Sequence, residues 1–213
     1  MERKCSVGAI FIGRIANYRE SVFVNIIWII TEELAIEYYG MSDQVYYDVY
    51  VSSATRFREF EFDGYTYCYV ASKCKLGIEN VHYSGGVRIT DKERTTLDSI
   101  KDMDKISGIE EVLANIDGFT SLNEEKLTGY LQEYHNQFLY QKTGFILYPY
   151  RDKLGLSHSF FEMCQYKTGK SKRYLTKEFT NGTYIKEWKL VVPDEIYKLK
   201  NGAFQDDRMD LCQ

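Results

Sequence analysis

The apolar pattern of this chain changes period near Thr90, and that change puts a sheet ahead of a helical cluster. Before it, Val45–Val51 alternates aromatic and β-branched residues, and Phe57–Phe62 continues in period two. Asp63-Gly64 lies between Phe60-Glu61-Phe62 and Tyr65-Thr66-Tyr67-Cys68-Tyr69-Val70, so it reads as the two-residue turn of a β-hairpin. Ser84-Gly85-Gly86 marks a further turn ahead of a strand at Val87-Arg88-Ile89. Beyond Thr90 the spacing is helical, at Ile106, Ile109, Val112, Leu113 and Ile116 and again at Leu127, Tyr130, Leu131, Tyr134 and Phe138. A third helix is expected after Gln137, ended or kinked by Pro149. Ser159 and Glu162 stand at capping-box spacing for a helix through Phe160-Phe161-Glu162-Met163. Ile185–Val192 alternates like a closing edge strand, and Thr31–Tyr39 reads as a short helix stopped by Gly40. The expectation is an α+β fold: an antiparallel sheet with a hairpin, then a helical cluster, then an edge strand.

The junction itself reads Thr90-Asp91-Lys92-Glu93-Arg94-Thr95-Thr96-Leu97-Asp98. Thr90 and Glu93 are placed to form a capping box, and Arg94 and Asp98 to pair across one helical turn. Capping and pairing explain every one of these residue types without a functional role, and a partner contact is the alternative. Glu110-Glu111 and Glu124-Glu125 are most simply carboxylates facing helix N-termini.

Composition narrows the function classes. With 213 residues, 44% apolar and 27% charged, the chain can bury a substantial core. A net charge of −4 argues against a general nucleic-acid binder, which needs clustered cations. One such cluster exists: Lys167, Lys170, Lys172, Arg173 and Lys177, interleaved with Tyr166 and Tyr174. Cations alternating with aromatics can grip a phosphate backbone and stack bases, and a solvated loop is the competing reading. Gly169-Lys170-Ser171 lacks the glycine five positions earlier that a phosphate loop requires, because Cys164 stands there. The 5 cysteines contain no C-x-x-C pair and the 3 histidines (His82, His135, His158) have no partner at ligand spacing, so no metal site, cofactor or catalytic residue is expected. Met1–Gly13 has too short an apolar run for a signal peptide. Val22–Ile30 is about half of a membrane span, so a cytoplasmic protein without a membrane partner is expected.

As a string, Glu93-Arg94-Thr95-Thr96-Leu97-Asp98 resembles the E-R-T-x-x-D signature of the AbiEi family, antitoxins of type IV toxin–antitoxin and abortive-infection systems. The resemblance runs in order through Tyr38-Tyr39-Gly40, Gln44, Val45–Ser53, Phe57–Val70, Val87–Asp98 and Gly108–Leu113. Tyr140-Gln141-Lys142-Thr143-Gly144 and Ser171-Lys172-Arg173-Tyr174-Leu175 look like the low-GC bacterial branch. The resemblance implies a non-enzymatic antitoxin domain over residues 44–213, with Thr90, Asp91, Glu93, Arg94, Thr95 and Asp98 as its signature. Residues 1–43 are then an apolar segment without the family's winged helix, expected to form one compact unit with the rest. It further implies a functional partner, a nucleotidyltransferase toxin encoded alongside and not held in a stable complex, and a role in phage defence or plasmid maintenance. Operation as a DNA-binding transcriptional regulator of the same operon is the alternative.

Overall fold

The computed structural model describes residues 29–30, 35, 47–53, 55–62, 64–71, 74–80, 88–104, 108–177 and 181–198. The chain divides into two compact units, Met1–Asp98 and Ser99–Gln213. That boundary falls inside the helix Lys92–Asp102, whereas the sequence suggests a division at residue 43 within a single compact unit. The expected helix over Thr31–Tyr39 lies outside the described residues, apart from a helical, buried Ala35.

Unit 1 holds β1 (Ile29–Ile30), β2 (Asp48–Ser52), β3 (Phe60–Phe62), β4 (Tyr65–Tyr69), β5 (Ile78–Asn80) and β6 (Arg88–Thr90). They form one sheet in the order β3-β4-β2-β1-β6-β5. The Asp63-Gly64 hairpin is present: Phe62 pairs with Tyr65, and Gly64 takes the positive φ of 81° that the turn demands. Phe60 stacks on its cross-strand partner Tyr67, ring centroids 4.8 Å apart, and Phe57 meets Tyr69 edge-on. The sheet is mixed rather than antiparallel. β4 runs parallel to β2, and β6 runs parallel to β1. Alternation along a strand reports which face is buried but is blind to the direction of the neighbour, so pairing sense was not readable from it.

At Thr90 the chain leaves β6 and enters α1 (Lys92–Asp102). Its start is displaced by one residue from the expected capping box. Asp91, not Thr90, is the cap: its Oδ1 accepts from Arg94 N at 2.9 Å. Thr90 is committed to the β5–β6 ladder opposite Ile78, and its hydroxyl pairs with Thr95 Oγ1 at 2.7 Å.

Unit 2 contains α2 (Gly108–Gly118), α3 (Glu124–Tyr134), α4 (Gln137–Leu147), a 3-10 turn at Tyr148–Tyr150, α5 (Arg151–Leu154) and α6 (His158–Lys167). The apolar stripe that continues from Leu127 to Phe138 is split between two helices. His135 turns left-handed at φ 48°, and the Asn136 side chain accepts from Phe138 N and Leu139 N to start α4. Pro149 sits in the 3-10 turn, where its missing N–H costs little. α6 is capped by Ser157, whose Oγ accepts from Phe160 N at 3.2 Å, so the expected Ser159 box is two residues late. Glu124 at the head of α3 selects Ser157, accepting from its N at 2.7 Å and its hydroxyl at 2.8 Å.

The unit closes with β7 (Arg173–Tyr174), β8 (Gly182–Ile185) and β9 (Leu190–Pro193), a three-stranded sheet in the order β7-β9-β8. The expected single edge strand over Ile185–Val192 is instead two strands joined by a turn, and β9 is the central, fully buried one. The turn ends at Lys189 with φ 49° and carries Trp188 into the core. There Trp188 lies on Gly144 of α4, where a Cβ would come within 2.1 Å of the indole. Gln141 Nε2 donates to Trp188 O at 3.2 Å, locking the turn to the same helix.

Candidate functional site

The residues singled out from sequence separate into two clusters of opposite character. The signature residues of the β6–α1 junction are interior. Thr90, Asp91, Glu93, Arg94, Thr95 and Asp98 are all buried, and Arg94 is 0% exposed. A guanidinium reaches such a position only if its donors are satisfied, because an uncompensated buried charge costs several kcal/mol. Arg94 Nε donates to Asp98 Oδ2 at 3.3 Å, and its Nη1 donates to the carbonyl of Leu76. The neighbouring Gly77, at φ 65°, accepts Asp91 N at 2.9 Å. Thr95 Oγ1 meets Thr90 Oγ1, and Thr96 Oγ1 donates back to Lys92 O at 2.7 Å. The string therefore ties the β6–α1 junction to the loop that leads into β5. Apart from Glu93, whose Oε1 lies 3.8 Å from Lys92 Nζ, the signature groups are turned to one another and to backbone, and all six residues are buried.

The basic run is the reverse case. Lys167 ends α6, Lys170 lies in the following segment, Lys172 and Arg173 lead into and begin β7, and Lys177 follows it; all five are exposed. The segment is not a loose loop. Lys189 Nζ donates to Gly169 O at 3.2 Å, Arg173 N to Lys189 O at 3.1 Å, and Leu175 N to Val191 O at 2.9 Å. Leu175 is wholly buried beneath it. Tyr174 and Tyr184 pair with the same residue, Val191, from opposite sides of β9, which puts both rings in one row on one face of the sheet. The Lys172 ammonium stands 5.7 Å from the Tyr174 centroid and 5.5 Å from that of Tyr184. Arg173 points the other way, its guanidinium 5.9 Å from the Phe138 ring of α4. Tyr166 is 85% exposed at the end of α6.

Sequence reading missed Tyr184, which comes from a different strand and joins the cluster only through strand register. It also missed Lys142, for which a signal existed: Phe138 and Lys142 are one helical turn apart. Lys142 is 4% exposed, its Nζ donates to Ile100 O at 3.4 Å, and it lies 4.9 Å from the Phe138 centroid. Burial lowers its pKa, Asp104 and Asp102 act against that, and Lys177 and Lys101 add to the lowering.

Two of the described thiols, Cys68 and Cys164, are poor nucleophiles. Burial, with the hydrogen bond and charge of Glu59, pushes Cys68 up to about 11, and burial pushes Cys164 up to about 12, aided by Glu124. His135 is exposed at the end of α3, and His158 faces Glu162 on the surface of α6 at 3.6 Å; His82 lies outside the described residues. Among the described residues no group of three or more His, Cys, Asp or Glu side chains could hold a metal ion, and no helix is long and apolar enough to cross a membrane.

No protein-family model matches the chain, and no curated protein matches it. Among solved structures it is similar to the crystal structure of the RV2827C protein from Mycobacterium tuberculosis, at 12% sequence identity and a TM-score of 0.56. The alignment covers 84% of this chain and 66% of that one, so the chain spans just under two thirds of its length. At this identity the likeness concerns fold alone.

Proposed function

We propose that this protein is a cytoplasmic, non-catalytic antitoxin of the AbiEi type that counteracts a nucleotidyltransferase toxin encoded beside it. The observation that carries this reading is the behaviour of the signature string as one interior unit. Asp91, Arg94, Thr95 and Asp98 each make a contact within the junction, as helix cap, ion pair or hydroxyl pair. A string that acts as one interior unit is compatible with a family signature of structural type, and the resemblance supplies the function. Thiols held at about 11 and about 12 speak against Cys68 and Cys164 as nucleophiles. The test is growth of a bacterial host carrying the neighbouring reading frame under an inducible promoter, with and without this chain. Rescue of the growth arrest is expected, with little or no co-purification of the two proteins. Failure to rescue from a demonstrably toxic neighbour overturns the reading, and a tight stoichiometric complex overturns its type IV aspect.

A second reading has its own observation, the exposed and anchored cations at Lys170, Lys172 and Arg173. These fit transcriptional autoregulation through the phosphate backbone of the operon's promoter DNA. Gel-shift binding to that promoter, abolished in a Lys170/Lys172/Arg173 triple-alanine variant, is the expected outcome. Unchanged binding by the variant removes the reading.

A further inference from the structure

We infer that the outer face of the β7-β9-β8 sheet is a binding surface for single-stranded nucleic acid. The inference deepens the nucleic-acid reading of the basic segment and is independent of antitoxin activity. Duplex DNA is held at its phosphates and at base edges in the grooves, since its bases are stacked within the helix and present no ring face to a protein. A single strand offers both phosphates and free base faces, so its binders combine a cationic track with exposed aromatic platforms on a rigid support. This surface has both parts.

The platforms are Tyr174 and Tyr184, 53% and 46% exposed, on the two outer strands of the sheet and in register with the same residue of β9. Two strand spacings separate them by roughly 10 Å. Large aromatics half open to solvent on a sheet face form an apolar surface that water wets poorly and a base can cover. Lys172 sits between the two rings, within cation–π distance of each, where a phosphate linking two stacked bases would meet its ammonium. Lys172 is the cation beside the rings, Lys167, Lys170 and Lys177 lie exposed along the same segment while Arg173 turns to the Phe138 side, and the stretch from 167 to 177 contains no carboxylate. This is local, because the chain as a whole carries a net charge of −4. In a protein of net negative charge, this clustered segment offers a polyanion a local concentration of positive charge. The frame is rigid: Arg173 N and Leu175 N are hydrogen-bonded to the β9 side of the sheet, and Lys189 holds Gly169. Tyr166, on the adjacent helix end, is a third exposed ring beside Lys167.

The test uses the full chain and fluorescently labelled 12-nucleotide mixed-sequence oligomers: single-stranded RNA, single-stranded DNA and the corresponding DNA duplex. Anisotropy is followed across a salt series. Single strands are expected to bind at least about tenfold more tightly than the duplex, since each stacked base contributes a factor of that order. A Tyr174→Leu/Tyr184→Leu variant is expected to lose that preference while keeping the salt dependence. A Tyr174→Phe/Tyr184→Phe variant, which keeps the ring faces, should bind like the parent and also reports that the sheet is folded. A Lys170→Ala/Lys177→Ala variant should reduce the salt slope by roughly 1.4, about 0.7 for each phosphate no longer neutralised. Comparing RNA with DNA identifies which strand is preferred, and a preference for either over duplex supports the inference. Equal affinity for duplex and single strand overturns it while leaving the promoter-DNA reading standing. Competition by heparin at equal potency with no effect of the leucine variant overturns it as well, since the patch would then be a polyanion surface only. Absence of binding to every oligomer at low salt overturns both nucleic-acid readings and leaves the antitoxin reading untouched.

Discussion

Two arginines, Arg94 and Arg173, carry the same guanidinium into opposite circumstances. Arg94 is sealed inside unit 1, its donors taken by Asp98 and the Leu76 carbonyl. Arg173 stands exposed on β7 in unit 2, where its guanidinium approaches the Phe138 ring to 5.9 Å. The first is a strut whose charge is cancelled where it lies, and the second keeps its charge available for something arriving from solvent. Charge type therefore says little about role until burial is known. A polar string that looks like a docking epitope can be the part of the molecule least able to touch a partner.

The largest test of this contrast is to remove each guanidinium. Arg94→Met leaves the Asp98 carboxylate buried and the Leu76 carbonyl without this donor, and should lower unfolding free energy by about 3–5 kcal/mol in chemical denaturation. Arg173→Met should stay within about 0.5 kcal/mol of the parent. If the two variants are equally stable, the contrast is broken.

Gly144→Ala comes next. It drives a methyl into the Trp188 indole and should cost about 1–3 kcal/mol, with a shift in tryptophan fluorescence. Repeating it in a Trp188→Leu background should shrink the penalty, and a penalty that persists would place its origin elsewhere. A smaller effect, about 1 kcal/mol, is expected for Asp91→Ala through loss of the α1 cap, with Asp91→Ser retaining most of the stability. An Asp91→Ala protein as stable as the parent would show that the cap lies at another residue.

The last expected effect is spread over a pH range rather than read at one condition. Cys164 keeps its proton in the fold to about 12, while the unfolded thiol ionises near 9.0. Between those values the unfolded chain binds fewer protons than the folded one, so this group's contribution to stability falls as pH rises. The slope is at most ~1.4 kcal/mol per pH unit. Denaturation of Cys164→Ala between pH 8 and pH 10.5 should show a flatter decline than the parent. Parallel declines would mean that the thiol is not protected from solvent as the structure has it.

Several elements were legible in the chain, and the misses share a cause. The Asp63-Gly64 hairpin was readable because its turn and both strands lie within a few residues of one another. The starts of α1 and α6 were each displaced, by one residue and by two. In each place two cap-forming side chains were available, and a remote partner chose between them. β5 claimed Thr90 for its ladder, and Glu124 of α3 claimed Ser157. Ile185–Val192 read as one strand because its alternation runs through the Lys186–Lys189 turn without a Gly or Pro to mark it. The left-handed Lys189 follows from seating Trp188 against Gly144, in a helix more than forty positions away.

The candidate surface divides in the same way. Lys167, Lys170, Lys172, Arg173 and Lys177 were evident as a run without carboxylates, because a run is a property of adjacent positions. Tyr184 was not evident, because it joins Tyr174 and Lys172 only through the register of β8 on β9.

By itself, then, the sequence determined that a strand-rich half precedes a helical one, the hairpin and the place where positive charge concentrates. All of these follow from the period and chemistry of residues close together in the chain. The tertiary structure alone decided the parallel pairings in the first sheet, the division into two units, and the identity of two helix caps. It also decided that Arg94 is enclosed while Arg173 is open. Burial and register are set by contacts between segments far apart in sequence, and a side chain's environment depends on what packs over it.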